Sequence, residues 1–210
     1  MDKIIENNQV RVMGKIVSGF SYSHEIYGEG FYMAEVSVER TSGSCDMIPV
    51  MVSERMMDVK EDCTGKLVCV AGQFRSYNLH DGGRNKLILS VFAREINFIE
   101  EVETLSKANQ IFLDGYVCKE PIYRKTPLGR EIADLLLAVN RPYGKSDYIP
   151  CICWGRNARY ASSFRVGERY AIHGRIQSRE YMKKLADGTE EVKTAYEVSV
   201  AKVEESEDEE

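Results

Sequence analysis

The chain has 210 residues, 43% of them hydrophobic and 29% charged, and a formal net charge of -5. This is the composition of a globular protein of one or two domains. No apolar stretch approaches the roughly 18 residues that a spanning helix needs, and the opening MDKIIENNQ lacks the long apolar segment of a secretory signal, so a cytoplasmic protein without membrane contact is expected.

From residue 8 onward the chain repeats itself. Asn8-Gln9-Val10 returns as Asn109-Gln110-Ile111, Gly14 as Gly115, Val38 and Arg40 as Val139 and Arg141, and Asp46, Ile48 and Pro49 as Asp147, Ile149 and Pro150, all at an offset of 101. After one added residue Gly65 and Gly72 match Gly167 and Gly174, and Ser90-Val91 aligns with Ser199-Val200. Such self-similarity predicts one fold used twice. In the second copy, apolar runs at 110–117, 132–141, 148–154, 168–181 and 194–203 predict five β-strands. The turn-forming stretches TPLG (126–129), RPYGKS (141–146) and ADGT (186–189) punctuate them, and NARYASSF (157–164) predicts a helix between the third and fourth strands. Five strands with a helix in that place, in about 95 residues, match the OB-fold, a Greek-key barrel. An all-β chain of two tandem five-stranded OB-fold barrels is therefore expected, each with a short helix between strands three and four. The predicted divisions are 1–104, 105–203 and a disordered acidic tail, 204–210.

Charge changes sign along the chain. Residues 1–106 carry 11 Lys and Arg against 16 Asp and Glu, residues 107–203 carry 17 against 11, and residues 204–210 carry 6 acidic residues and no basic one. A basic domain inside an acidic protein suits a polyanionic partner.

Strand parity turns the basic domain into a surface. In the third strand Tyr148, Pro150, Ile152 and the only tryptophan, Trp154, share one face, whereas Ile149, Cys151 and Cys153 share the other, which is the better core face. The six cysteines form no C-x-x-C pair and no Cys/His array of zinc spacing, so reduced structural thiols are expected. In the fourth strand Arg175, Gln177, Arg179 and Tyr181 alternate on one side, and His173 faces outward beside Arg175. Lys183 and Lys184 follow in the hairpin, Arg141, Tyr143 and Lys145 lie in the preceding loop, and Arg156 follows Trp154. Aromatics interleaved with cations suit an unpaired nucleic-acid strand, because ring faces stack on bases and cations follow phosphates. Around the first hairpin Tyr123, Arg124, Lys125 and Arg130 are candidate backbone contacts.

Gly144-Lys145-Ser146 lacks the upstream glycine of a phosphate loop, since position 139 is valine. His24 and His80 have no partner at metal-binding spacing, and neither a G-x-S-x-G elbow nor an H-E-x-x-H motif occurs, so neither catalysis nor a cofactor is expected.

The stretches NQIFLDGYVCKEPIYRKTPLGREIADLLLAVNR, DYIPCICWGRNA, VGERYAIHGRIQSREY and DGTEEVKTAYEVSVAKVE resemble the bacterial single-stranded DNA-binding protein family along nearly all of residues 109–203. The resemblance implies base stacking by Tyr143, Tyr148, Trp154 and Tyr181. It also implies a homodimer bringing four barrels together, replication and repair proteins as partners, and a role at the nucleoid in DNA replication, recombination or repair. The first copy departs from the family pattern: Met47 lies opposite Tyr148, Ser53 opposite Trp154 and Leu79 opposite Tyr181. Arg40, Arg55, Arg75 and Tyr77, with Phe31 and Tyr32, are weaker candidates there. The tail EESEDEE lacks the family's long linker and terminal hydrophobic residues. The residues themselves leave open an RNA-binding module, or a protein-interaction scaffold in a replication or mobilisation complex, as alternatives to single-stranded DNA.

Overall fold

The computed structural model describes residues 7–81, 84–184 and 188–206; most of the predicted tail lies outside the described residues. The first copy forms strands β1 (Asn8–Ile16), β2 (Ser21–Ile26), β3 (Glu29–Glu39), β4 (Cys45–Ser53), β5 (Leu67–Asp81) and β6 (Arg84–Phe98). The second forms β7 (Asn109–Val117), β8 (Ile122–Lys125), β9 (Glu131–Arg141), β10 (Lys145–Trp154), helix α1 (Arg156–Ala161), β11 (Arg169–Lys184) and β12 (Glu190–Glu205). The hydrogen-bonded order is β2-β3-β4-β6-β5-β1-β7-β11-β12-β10-β9-β8, and the pairings β3–β1 and β7–β9 close each copy into a barrel. All pairings are antiparallel except β4–β6 and β10–β12.

Period-two alternation explains why these segments are strands. Val10, Val12 and Ile16 on β1, and Leu135, Leu137 and Val139 on β9, bury every second side chain. Glycine has a steric role where a barrel closes: a Cβ on Gly14 would sit 2.3 Å from the Ser37 carbonyl oxygen, and one on Gly115 2.6 Å from that of Ala138. The repeated Asn-Gln pair is explained too. Asn8 bonds both the N–H and the carbonyl of Phe74 at 2.8 Å, and Asn109 does the same to Ile176 at 2.9 and 2.7 Å, each tying the first strand of its barrel to the long hairpin.

The structure corrects three details. Each barrel has six strands because the polar hairpin arm before its long third strand, β2 or β8, pairs as a strand of its own. The helix expected in both copies is present only in the second. Residues 54–66 of the first form turns, in which Asp58 and Asp62 accept the N–H groups of Lys60 and Thr64 at 2.9 Å and Ser53 accepts that of Arg55. These side chains capture backbone donors that a helix would use. Finally, Val91 pairs with Val50 as Val198 pairs with Cys151, so Val91 corresponds to Val198, two residues from the alignment suggested by Ser-Val.

The two barrels meet about a pseudo-two-fold axis. β1 and β7 run antiparallel with Val10 opposite Ile111, equivalent residues facing each other. Beside this seam each barrel clasps the other. Asp147 accepts the Ser76 N–H at 2.7 Å while Ser76 Oγ accepts the Tyr148 N–H at 2.7 Å. In the reciprocal contact Asp46 accepts the Ser178 N–H, and Ser178 Oγ accepts the Met47 N–H, both at 2.9 Å. No helix among the described residues is long and apolar enough to cross a membrane.

Candidate nucleic-acid interface

β10 builds the centre of the site. Ile149, Cys151 and Cys153 turn into the core, as parity predicted, and burial pushes the Cys153 thiol up to about 12 and that of Cys151 well above the ordinary range. On the opposite face Tyr148 is 47% exposed and Trp154 38% exposed, while Pro150 is half-buried and Ile152 buried between them. Six steps along the strand place their Cα atoms about 20 Å apart, so the two rings stand as separate exposed aromatic surfaces. Trp154 Nε1–H donates to Ser199 Oγ on β12 at 3.3 Å, which fixes the indole's orientation without covering it. Ser199 escaped the sequence reading because only the cross-strand register brings it there.

Two further aromatics flank this row. Tyr143 sits at φ 65° in the turn before β10, and its ring is fully exposed. Tyr181, on the arm of β11 that projects past the barrel, is 39% exposed, with Arg179 Cζ 5.9 Å from its ring centroid. Lys183 and Lys184 continue along that arm, Lys184 4.0 Å from Glu190.

The predicted cations divide into two groups. Lys125, Arg130, Lys145, Arg156 and Lys183 are exposed, with no ion-pair partner among the described residues. Arg179 is exposed too, 3.9 Å from Glu197. The others are engaged within the protein: Arg124 with Asp134 at 2.8 Å, Arg175 with the buried Asp46 at 3.1 Å, and Arg141 with the buried Asp147 at 3.1 Å. Arg141 and Arg175 belong to the inter-barrel clasp, which the sequence of one strand cannot show. Tyr123 donates its hydroxyl to Glu131 at 2.7 Å. In the first barrel Arg40 is bonded to Asp46, Arg55 lies 3.3 Å from Glu29, and Tyr77 is exposed. Burial is the largest influence on Arg75, Arg175 and Asp147, lowering the first two and raising the carboxyl. The side chain of Leu79 and that of His80 lie outside the described residues.

Residues 108–205, the whole second barrel, match the sequence model of the single-strand binding protein family. Over this barrel, a little under half of the chain, the sequence is similar to that family. Single-stranded DNA-binding protein 2 of Listeria innocua is 36% identical over 80 residues, which cover 35% of this chain and 50% of that protein. Single-stranded DNA-binding protein A of Bacillus subtilis is 35% identical over 80 residues, 35% of this chain and 46% of that protein. The chain thus spans about half the length of the curated relatives it matches. The wild-type single-stranded DNA binding protein of Thermus aquaticus superposes over 97% of this chain and 94% of its own, with a TM-score of 0.77 at 21% identity, so both OB-folds have a counterpart in fold. In single-strand binding protein terms, the second barrel is the regular copy and the first the divergent one.

Proposed function

We propose that this chain binds single-stranded DNA without sequence preference and without catalysis, serving DNA replication, recombination or repair in the cytoplasm at the nucleoid. The observation that carries this reading is the outward row of Tyr148 and Trp154 on β10, extended by Tyr181 and Tyr143 and bordered by exposed lysines and arginines. Such a face holds bases by stacking and phosphates by charge. Replication and repair proteins are its expected partners. A homodimer, bringing four barrels together, is the expected assembly, with sedimentation or light scattering as its test.

Trp154 is the chain's single tryptophan, so its fluorescence reports one site. A dT oligomer is expected to quench it, and added salt to reverse the quenching. Trp154→Ala is expected to weaken binding by about 1–3 kcal/mol, the usual worth of one base–aromatic stack. An unchanged spectrum from folded protein would remove the assignment. Stronger quenching by an rU oligomer than by dT of equal length would replace DNA with RNA.

A further inference from the structure

The first barrel has moved its aromatic rings to the neighbouring strands. In the second barrel Ile132 on β9 pairs with Trp154 on β10, whose indole reaches Ser199 on β12. In the first, Phe31 on β3 pairs with Ser53 on β4, and Phe92 on β6 is the counterpart of Ser199 by the parallel register. The sequence Ile–Trp–Ser across three strands has become Phe–Ser–Phe. The smallness of Ser53 leaves room above β4 in which the flanking rings meet, their centroids 5.6 Å apart.

Both rings have planar groups against them. The His24 imidazole stacks on Phe31, 5.2 Å between centroids and 14° between planes. Arg75 Cζ lies 4.1 Å from the Phe92 centroid. Beyond Arg75 on the same side of β5, Tyr77 is exposed where Arg179 lies in the second barrel. Beneath these groups Phe31 is buried, 8% exposed, and Phe92 is half-buried; a flat polar group laid on an aromatic face occupies the kind of place that a nucleobase takes.

We propose that Phe31, Phe92 and Tyr77 form a second base-stacking row, for the same unpaired strand that the second barrel holds, with His24 and Arg75 yielding ring faces to bases. This rests on the single-stranded DNA reading of the second barrel. Residues 1–106 carry more acidic than basic side chains, 16 against 11, so phosphate attraction here is weak. The row acts on a strand already held by the second barrel, where tethering raises its effective concentration. Its contribution is therefore stacking and less salt-sensitive than that of the basic face.

The test uses the full chain and dT oligomers of graded length. In the double variant Trp154→Phe/Phe92→Trp the sole indole lies in the first barrel. Oligomers long enough to cover both barrels are expected to quench it, and short ones that saturate the second barrel are not. Quenching of native Trp154 with no response from the folded double variant at any length would overturn the proposal and leave the second-barrel reading intact. If native Trp154 itself does not respond, that underlying reading fails. Should the double variant not fold, Phe92→Leu supplies the answer: affinity for long oligomers is expected to fall about five- to tenfold with short ones unaffected. Equal affinity of Phe92→Leu and native protein for both lengths overturns the proposal.

Discussion

At the scale of single residues, orientation was legible where it follows from one strand and hidden where it depends on two. Alternation alone put Cys151 and Cys153 inside and Trp154 outside, and the structure agrees. It could not show that Arg141 and Arg175 turn to buried carboxylates, because Asp46 meets Arg175 only across the barrel junction. Asp147 carries a consequence of that burial. Its Oδ2 lies 3.1 Å from Arg141 Nε but is out of hydrogen-bond alignment, and desolvation outweighs the Ser76 N–H and the nearby arginines, raising the carboxyl above its ordinary 3.8. A carboxyl that holds its proton more tightly in the folded state makes stability fall as pH rises through the window between its ordinary and raised values. The cost is fully present only above the raised value. Asp147→Asn keeps an acceptor for Ser76 and has no such titration. The stability of the native chain minus that of the variant, from denaturant midpoints at successive pH values, is expected to decline with rising pH across that window; a flat difference would show that Asp147 does not titrate there.

At the scale of elements, strong apolar periodicity identified the five long strands of the second barrel, and the repeat carried them to the first. The arms β2 and β8 were missed because they bury almost nothing: all four side chains of β8 are exposed, and pairing with β9 rather than a core face makes the strand. The misplaced Ser-Val match has another origin: the bulges at His173/Gly174 and Ala71/Gly72 are equivalent, but the offset between copies changes from 102 on the first strand of the long hairpin to 107 on the second, where the match assumes 109. These bulges matter to the site. A Cβ on Gly174 would lie 2.3 Å from the Ser199 carbonyl oxygen, the residue whose hydroxyl holds the Trp154 indole. Gly174→Ala must therefore push β12 away from β11. The expected outcome is a loss of about 1–3 kcal/mol of stability, the usual cost of overpacking, together with an altered Trp154 emission before any DNA is added. Thermal unfolding and the fluorescence spectrum check both parts.

At the scale of the whole molecule, the pseudo-two-fold axis makes the barrels structurally reciprocal while their outer faces diverge. Each supplies an aspartate and receives a serine, and the serine from the first barrel fixes the backbone of Tyr148 in the second. One reason to keep a divergent barrel is therefore that it holds the backbone of the strand that carries the proposed stacking face of its neighbour. The second barrel, however, carries both halves of the clasp itself, Asp147 and Ser178, and its strand β7 already pairs with a strand equivalent to itself. It also has its own closed core, in which Leu113, Leu137, Ile149, Ile172 and Ile176 are fully buried. Released from the first barrel, it would expose β7 as an unpaired edge, a template for another copy. A chain beginning at Leu105 is accordingly expected to form a symmetric dimer, β7 against β7, with Asp147 of each copy accepting the Ser178 N–H of the other. Light scattering would read the mass. Asp147→Ala in that shortened chain removes both clasps at once and is expected to shift it toward monomer and lower its DNA affinity through the loosened Tyr148 strand. A shortened chain that stays monomeric yet binds DNA as tightly as the full chain would show that the clasp is dispensable for the stacking face.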